Sequence, residues 1–287
     1  MQNGLAITTD IGPIRLKWHR LQRRVTDPEF GAGVMAAGFQ LGASMELDLR
    51  VRADGGFAVL HDAALERETD GHGLVCAHTA QDLAQLSYSA DPRPLMLSED
   101  LAGLLPSAHP GALLQLDMKD DLAVIGPRGM DHLAEHFGGS GSPLIFSGAC
   151  LDLIASIGAR LPQAKRGIDP TDRLVALIET GPLAEVESAL IAEIRGKTAP
   201  DTVYLSWELL LHTRPLGLDL AALCHAEGVK VDAWTFTPHD DAKGLSATEW
   251  MDFRALVALQ PDQITTDDAI AMATALAARM PTAAHFV

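Results

Sequence analysis

Two acidic residues stand on one strand-like segment of the chain, Met45–Val51. Side chains two apart in a β-strand point to the same face, so Glu46 and Asp48 are predicted to lie side by side. Neighbouring buried carboxylates repel each other and lose hydration, and they normally need a cation to stay ionised. All-oxygen ligands suit a hard divalent ion such as Mg²⁺ or Ca²⁺. The alternative at this point is a strand end whose acids are solvated or pair with Arg50 and Arg52.

The overall charge of the chain narrows the range of partners. Its 287 residues include 22 Lys plus Arg and 38 Asp plus Glu, which gives a net charge of −16. Such an acidic surface argues against binding to nucleic acid and to anionic membranes. A small phosphodiester substrate remains compatible with it, because a metal ion and a few basic residues can reverse the field locally.

The cysteines and the apolar segments indicate the compartment. Cys76, Cys150 and Cys224 are odd in number and far apart, which is typical of core residues in a reducing environment rather than of a disulfide framework. The first ten residues lack the basic and apolar regions of a signal peptide. No apolar run approaches the ~18 residues of a membrane span. We therefore expect a cytoplasmic protein, and nothing in the sequence indicates an oligomeric state.

Strand and helix patterns alternate along the chain. Eight strands alternating with helices predict an α/β fold, a (β/α)8 TIM barrel that forms one domain over residues 1–287. The sequence contains no glycine-rich phosphate loop of the Rossmann or P-loop type. The eight predicted strands end near His19, Leu49, Lys119, Ser147, Asp169, Trp207, Phe236 and Thr266.

A tight turn interrupts this alternation after the second strand. Asp54–Gly56 is a strong turn signal, and the apolar run Phe57–Leu60 follows it directly. So short a connection can join only antiparallel strands, since parallel neighbours need a crossover of a dozen or more residues. Residues 52–110, approximately, are therefore predicted to form a small insertion after the second strand.

Two helix boundaries carry local signals. The first helix is predicted to begin at Pro28, with Asp27 as its N-cap, and to end at about Leu41 before Gly42. The last helix is predicted to cover about 267–278.

The barrel prediction places polar residues from distant parts of the sequence at one end of the fold. In TIM barrels the active site lies at the C-terminal ends of the strands. The first, second, third and seventh strands all end in residues capable of chemistry, and the insertion returns a histidine towards the same end. The predicted group is His19, Arg20, Glu46, Asp48, His61, Asp117, Lys119 and Trp234.

The order and spacing of these motifs resemble those of the glycerophosphodiester phosphodiesterases over nearly the whole chain. The resemblance implies a TIM barrel with a small insertion after the second strand. It also implies metal-dependent hydrolysis of glycerophosphodiesters to sn-glycerol 3-phosphate and an alcohol. The motifs are His19-Arg20, Pro28-Glu29, Glu46-Leu-Asp48, Leu60-His-Asp62, the stretch 67–75, the stretch 94–99, Leu116-Asp-Met-Lys119, the stretch 233–237 and the stretch 262–267.

The resemblance assigns a metal site. Glu46, Asp48 and Asp117 match the three carboxylates that hold one divalent cation, Mg²⁺ or Ca²⁺, in that family. The match has departures, since the third ligand is commonly glutamate, one methylene longer than Asp117. Leu21 stands where the family usually has glycine, and Phe30 stands where it usually has asparagine.

The resemblance also assigns the remaining roles. His19 and His61 match the general acid/base pair, Arg20 and Lys119 match the phosphate-binding groups, and Trp234 matches an aromatic residue that lines the cleft. We assign His19 as the base and His61 as the acid, although the sequence supports the reverse equally.

Two other functions stay open on the sequence. One is cleavage of a phospholipid head group in the manner of sphingomyelinase D, and the other is a non-catalytic barrel that binds phosphorylated ligands. Outside the predicted site, the remaining histidines are expected to lie on the surface or in the core, and the acidic pairs are expected to be solvated charges of loops or helix starts. They are His72, His78, His109, His132, His136, His212, His225 and His239, and the pairs Asp120-Asp121, Asp240-Asp241 and Asp267-Asp268.

Overall fold

The computed structural model describes residues 3–10, 12–141, 143–239 and 244–279. Eight of its strands are parallel and close into a barrel, which confirms the predicted (β/α)8 fold. The barrel strands are β2, β3 and β5 to β10, while β1 and β4 pair with them antiparallel. In chain order the strands are β1 (Ala6–Thr9), β2 (Gly12–Trp18), β3 (Ser44–Val51), β4 (Phe57–Val59), β5 (Leu113–Met118), β6 (Leu144–Ser147), β7 (Lys165–Ile168), β8 (Thr202–Ser206), β9 (Lys230–Trp234) and β10 (Gln263–Thr266).

Helices cover the outside of the barrel and connect its strands. Among the described residues, no helix combines the length and the apolar character needed to cross a bilayer. The helices are α1 (Ala32–Leu41), α2 (Ala80–Leu83), α3 (Ser98–Leu104), α4 (Leu122–Phe137), α5 (Leu151–Arg160), α6 (Thr171–Thr180), α7 (Leu183–Ile194), α8 (Trp207–Thr213), α9 (Leu220–Ala226), α10 (Ala247–Ala258) and α11 (Ala269–Arg279).

Strand β3 illustrates how the alternation of the sequence builds the barrel. Nearly every residue of β3 is buried, because a barrel strand packs against helices on one face and fills the barrel on the other. The fully buried apolar residues Met45, Leu47 and Leu49 alternate with Glu46 and Asp48. The two carboxylates therefore share the face opposite to the apolar one.

The insertion after the second barrel strand has the predicted hairpin. β4 returns antiparallel to β3, with Val51 opposite Phe57. The turn between them is closed by Asp54, whose side chain accepts the N–H of Gly56 at 3.2 Å. Gly55 has a φ of 92°, a backbone conformation that glycine adopts without steric cost. Helices α2 and α3 follow before the chain re-enters the barrel at β5.

The first helix begins four residues later than predicted. Phe30 has a φ of 58°, in the left-handed region, which cannot continue a right-handed helix, and α1 begins at Ala32. Asp27 does not cap α1, because its carboxylate accepts N–H groups of the loop at residues 23–24. Pro28 therefore belongs to the loop and not to the helix.

Other boundaries differ in small ways. The segment before the first barrel strand contains β1, which pairs antiparallel with β2. The predicted stop of α1 at Gly42 is confirmed, with a φ of 74°. The last helix begins at Ala269 because Asp268 caps it by accepting an N–H of its first turn. The acidic pair at 240–241 lies outside the described residues.

Candidate active site

Three carboxylates meet at the C-terminal mouth of the barrel. The parallel pairing of β3 with β5 places Asp48 directly beside Asp117 and Glu46 beside Gln115. One oxygen of each of Glu46, Asp48 and Asp117 lies within 4.8 Å of the others. Glu46 and Asp48 are buried, and Asp117 is partly buried. The structure thus brings together the three carboxylates that the sequence singled out.

The carboxylates influence one another electrostatically. Burial and the negative charge of Glu46 raise the pKa of Asp48 to about 7. The Lys119 ammonium lies 2.9 Å from Asp48 Oδ1 and 2.5 Å from Asp117 Oδ2. Burial alone would raise the pKa of Asp117, but this contact holds it below its usual value. The same contacts outweigh the burial of Lys119 and raise its pKa, so the ammonium stays charged.

The donor set fits a hard divalent cation. Three carboxylates face two cationic side chains, Lys119 and Arg20, so one negative charge is left over. Asp48 Oδ2 is buried and has no hydrogen-bond partner among the described residues; Arg20 Nε lies 3.5 Å away without hydrogen-bond geometry. An uncompensated buried carboxylate oxygen is costly unless a cation binds it. Glu46, Asp48 and Asp117 would hold such an ion, and all-oxygen ligands suit Mg²⁺ or Ca²⁺.

His19 follows β2 and is oriented by a carboxylate. Its Nδ1 lies 2.6 Å from Asp267 Oδ1, and its Nε2 lies 3.9 Å from Glu46 Oε2. Thr237 fixes Asp267 in turn by donating to its other oxygen at 3.0 Å. Burial alone would lower the pKa of His19, but the hydrogen bond to Asp267 and the charge of Glu46 raise it above its ordinary value. His19 is therefore a stronger base than a free imidazole.

Asp267 is a site residue that the sequence analysis missed. It was expected to be a solvated charge beside Asp268, but its carboxylate lies against His19. The available signal was its position, directly after β10, at the same end of the barrel as the predicted residues.

His61 reaches the mouth from the insertion, after β4. Its Nδ1 lies 2.8 Å from Asp62 Oδ1, and Arg67 binds the same carboxylate. The hydrogen bond from Arg67 holds the pKa of Asp62 well below its usual range, so Asp62 stays ionised beside His61. The buried carboxylate of Glu68 accepts the backbone N–H groups of His61 and Asp62, at 3.2 and 2.7 Å. The loop that carries His61 is therefore held in place by a buried acceptor.

The turn after β2 adopts a strained backbone. Arg20 and Leu21 have φ values of 47° and 63°, in the left-handed region, which costs non-glycine residues roughly 1–2 kcal/mol each. The turn directs the N–H of Arg20 to Glu46 Oε2 at 2.8 Å. Complete burial of the Leu21 side chain offsets part of the strain. Glycine would adopt the backbone conformation of Leu21 without this cost.

The predicted residues surround one cavity of about 340 Å³. Its wall includes seven of the eight predicted site residues, and Asp48 lies outside its surface. The wall also includes residues that the sequence analysis did not select, namely Lys17, Gln115, Asp169, Tyr204, Thr235 and Thr265.

A chain of buried hydrogen bonds runs across the barrel to Asp117. Lys17 Nζ lies 2.9 Å from Asp232 Oδ2 and also donates to Gln115. Gln115 Nε2 donates to Ser147 Oγ at 2.8 Å, and Ser147 Oγ donates to Asp117 Oδ1 at 2.9 Å. The hydroxyl of Ser147 therefore orients the carboxylate of Asp117.

Another part of the cavity wall carries polar groups with unused hydrogen-bonding capacity. Tyr204 Oη and Trp234 Nε1 are buried and have no partner within the described ranges. Burial raises the pKa of Asp169 to about 6. Tyr204, Trp234 and Asp169 all border the cavity.

Solved structures of glycerophosphodiester phosphodiesterases share this closed (β/α)8 barrel. A phosphodiesterase from Oleispira antarctica, in complex with the product sn-glycerol-3-phosphate, is 20% identical with a TM-score of 0.63, and the match covers 91% of this chain and 96% of that one. The Thermotoga maritima glycerophosphodiester phosphodiesterase is 17% identical with a TM-score of 0.61, over 89% of this chain and 95% of that one. The one from Agrobacterium tumefaciens is 17% identical with a TM-score of 0.61, over 91% and 98%.

Sequence comparisons add nothing to this likeness. No protein-family model matches the chain, and a comparison with curated protein sequences gives no match. The structural comparisons confirm, at the level of the fold, the resemblance inferred from the motifs.

Proposed function

We propose that the protein is a metal-dependent phosphodiesterase that hydrolyses glycerophosphodiesters to sn-glycerol 3-phosphate and an alcohol. The observation that carries this proposal is the convergence of His19 and His61 with the carboxylates Glu46 and Asp117 on one cavity. The fold of the three solved structures supports it. The product in the Oleispira antarctica structure is the one proposed here.

Charge stabilisation is the first requirement of the reaction. A phosphodiester gains negative charge on its oxygens as a nucleophile adds to phosphorus. A divalent cation held by Glu46, Asp48 and Asp117 would supply positive charge to those oxygens. The guanidinium of Arg20 and the ammonium of Lys119 border the same cavity and act on the same charge.

The two histidines transfer the protons in the first half of the reaction. His19 takes the proton from the glycerol 2-hydroxyl, whose oxygen attacks phosphorus and closes a cyclic phosphate. The bond from phosphorus to the alcohol oxygen breaks, and protonated His61 gives its proton to that oxygen. Intramolecular attack of this kind gains up to ~7–11 kcal/mol from proximity in well-oriented cases.

The second half restores both groups. Water attacks the cyclic phosphate and gives its proton to His61. The bond from phosphorus to the 2-oxygen breaks, and His19 returns its proton to that oxygen. The products are sn-glycerol 3-phosphate and the alcohol released in the first half, and both histidines recover their starting states.

The pairing of each histidine supports the assignment of roles. His19 is paired with Asp267 at 2.6 Å, which increases its basicity and suits the group that accepts the first proton. His61 pairs with Asp62, whose charge Arg67 partly neutralises. His61 is therefore assigned as the acid of the first half.

A hydrolysis assay tests the proposal. Chelator-treated protein is incubated with glycerophosphocholine, glycerophosphoethanolamine and a sphingomyelin dispersion, each with Mg²⁺, with Ca²⁺ or with chelator, and the released sn-glycerol 3-phosphate and choline are measured. We expect metal-dependent release of sn-glycerol 3-phosphate from the water-soluble diesters. Turnover of sphingomyelin alone would favour the head-group alternative, and no turnover of any diester would contradict an enzymatic role.

Histidine variants test the mechanism separately. We expect His19→Ala and His61→Ala each to lower kcat by ~10²–10⁴-fold, the usual contribution of a general acid or base. His212→Ala, an exposed histidine on α8, is the matched control. Full activity in either active-site variant would refute the assigned roles without affecting the fold.

A further inference from the structure

A second cluster of potential ligands lies away from the active site, between α3 and α4. His132 and His136 are four residues apart on α4, beyond its interruption at Gly126, so both project from the same face of the helix. Their rings stack with centroids 4.2 Å apart and an interplanar angle of 33°. The sequence alone placed both histidines among ordinary surface or core residues.

Glu99 on α3 completes the cluster. One ligand atom from each of Glu99, His132 and His136 lies within 4.8 Å of the others. The hydroxyl of Ser98 lies 2.7 Å from His132 Nε2 and 3.2 Å from Glu99 Oε2. Potential metal-ligand atoms from α3 and α4 therefore lie close to one position.

Buried Arg52 orients the carboxylate of Glu99 and leaves part of its hydrogen-bonding capacity free. Arg52 donates to Glu99 Oε2 at 2.9 Å and to Oε1 at 2.7 Å. Each carboxylate oxygen has two lone-pair directions. Oε2 accepts hydrogen bonds from both Arg52 and Ser98, whereas Oε1 accepts one from Arg52 and retains one direction for a metal ion. Arg52 also pairs with Asp54 at 3.0 Å, so two carboxylates surround one guanidinium and leave a net negative charge.

The cluster is accessible to ions from solution. Glu99 is 40% exposed, and His132 and His136 are partly buried.

We propose that Glu99, His132 and His136 form a second metal site, specific for a transition-metal ion of the Zn²⁺ class. Two imidazoles and one carboxylate are typical ligands of Zn²⁺, with a water molecule as the fourth. The three-carboxylate site favours Mg²⁺ or Ca²⁺ instead, because hard cations prefer oxygen ligands. An ion at the second site joins the insertion, through α3, to α4 of the outer helical layer, and is independent of the reaction proposed above.

Co²⁺ is the probe for this site. Chelator-treated protein is titrated with Co²⁺ in excess Mg²⁺, which keeps the all-oxygen site filled, and visible absorption is recorded. We expect one equivalent to give d–d absorption that Zn²⁺ abolishes by competition. His132→Ala and His136→Ala are expected to lose this signal and to weaken Zn²⁺ binding at least tenfold, and His212→Ala is expected to retain both.

Stability and activity complete the test. Zn²⁺ is expected to raise the Tm of the wild-type protein, because it binds the folded state, and to leave the Tm of His136→Ala unchanged. Mg²⁺-supported diester hydrolysis is expected to be the same in His136→Ala as in wild type. Should His136→Ala fold poorly, His136→Gln replaces it at closer volume. Zn²⁺ affinity unchanged in the His132 and His136 variants, or no Zn²⁺ binding by the wild type, would overturn the proposal.

Discussion

Replacing Asp48 by asparagine is expected to stabilise the metal-free protein while impairing its cation site. The folded-state pKa of Asp48 is raised by burial and by Glu46, so its ionised form is unfavourable when no divalent ion is bound. Asparagine has nearly the same shape and no charge. Lys119 keeps its other partner, Asp117, at 2.5 Å, so the substitution does not leave the ammonium unpaired.

The size of the stability difference follows from the pKa shift of Asp48. A folded-state pKa of about 7 against an ordinary value of 3.8 corresponds, at about 1.36 kcal/mol per pH unit, to at most about 4 kcal/mol. The raised pKa means that the folded wild type binds more protons than the unfolded chain between these two values. Its stability therefore falls as the pH rises through this window, and Asp48→Asn lacks that fall.

Urea unfolding of chelator-treated protein between pH 4 and pH 8 measures this difference. Wild type and Asp48→Asn are expected to have similar free energies of unfolding near pH 4. At pH 8, Asp48→Asn is expected to be the more stable. Mg²⁺ at a hundredfold excess over Kd is expected to narrow this difference by about 2.7 kcal/mol, because only the wild type has the complete ligand set. Asp152→Asn, exposed on α5, is the control. Equal stabilities at pH 8, or a difference independent of pH, would refute the reasoning.

Two further substitutions probe the groups that orient the site. Asp267→Asn removes the carboxylate that raises the pKa of His19. We therefore expect kcat to fall and the rising limb of the profile of kcat/KM against pH to move to lower pH. A rising limb at the wild-type position would show that Asp267 does not act through His19. Ser147→Ala removes the hydrogen bond to Asp117 and is expected to weaken Mg²⁺ or Ca²⁺ binding by about 0.5–1.5 kcal/mol in calorimetric titration. Ser156→Ala, at a partly buried position on α5, is the control and should leave the affinity unchanged. Equal affinities in Ser147→Ala and wild type would mean that this hydroxyl does not position Asp117.

Features that depend on short stretches of chain were predictable from the sequence. The alternation of apolar strands with helical segments predicts the eight-stranded barrel, because each strand must bury one face against helices. The spacing of Glu46 and Asp48 places both on one face, and the Asp54–Gly56 turn forces an antiparallel return. The C-terminal mouth then follows from the barrel rule.

The backbone conformation after β2 was not predictable from the sequence. Arg20, Leu21 and Phe30 adopt left-handed φ values, which propensity disfavours for bulky residues, and α1 consequently begins later than its proline signal indicates. Tertiary contacts hold these residues there, such as the hydrogen bond from Arg20 N–H to Glu46.

Contacts between distant parts of the chain were decided by tertiary structure alone. His19 meets Asp267 only because β2 pairs with β10 and closes the barrel, across 248 positions of sequence. The link from Lys17 through Gln115 and Ser147 depends on the register of neighbouring strands, which no local pattern of the sequence encodes. The sequence by itself predicted eight residues of the mouth. Closure and register decided which of them touch and added residues such as Asp267, because those contacts join side chains that are far apart along the chain.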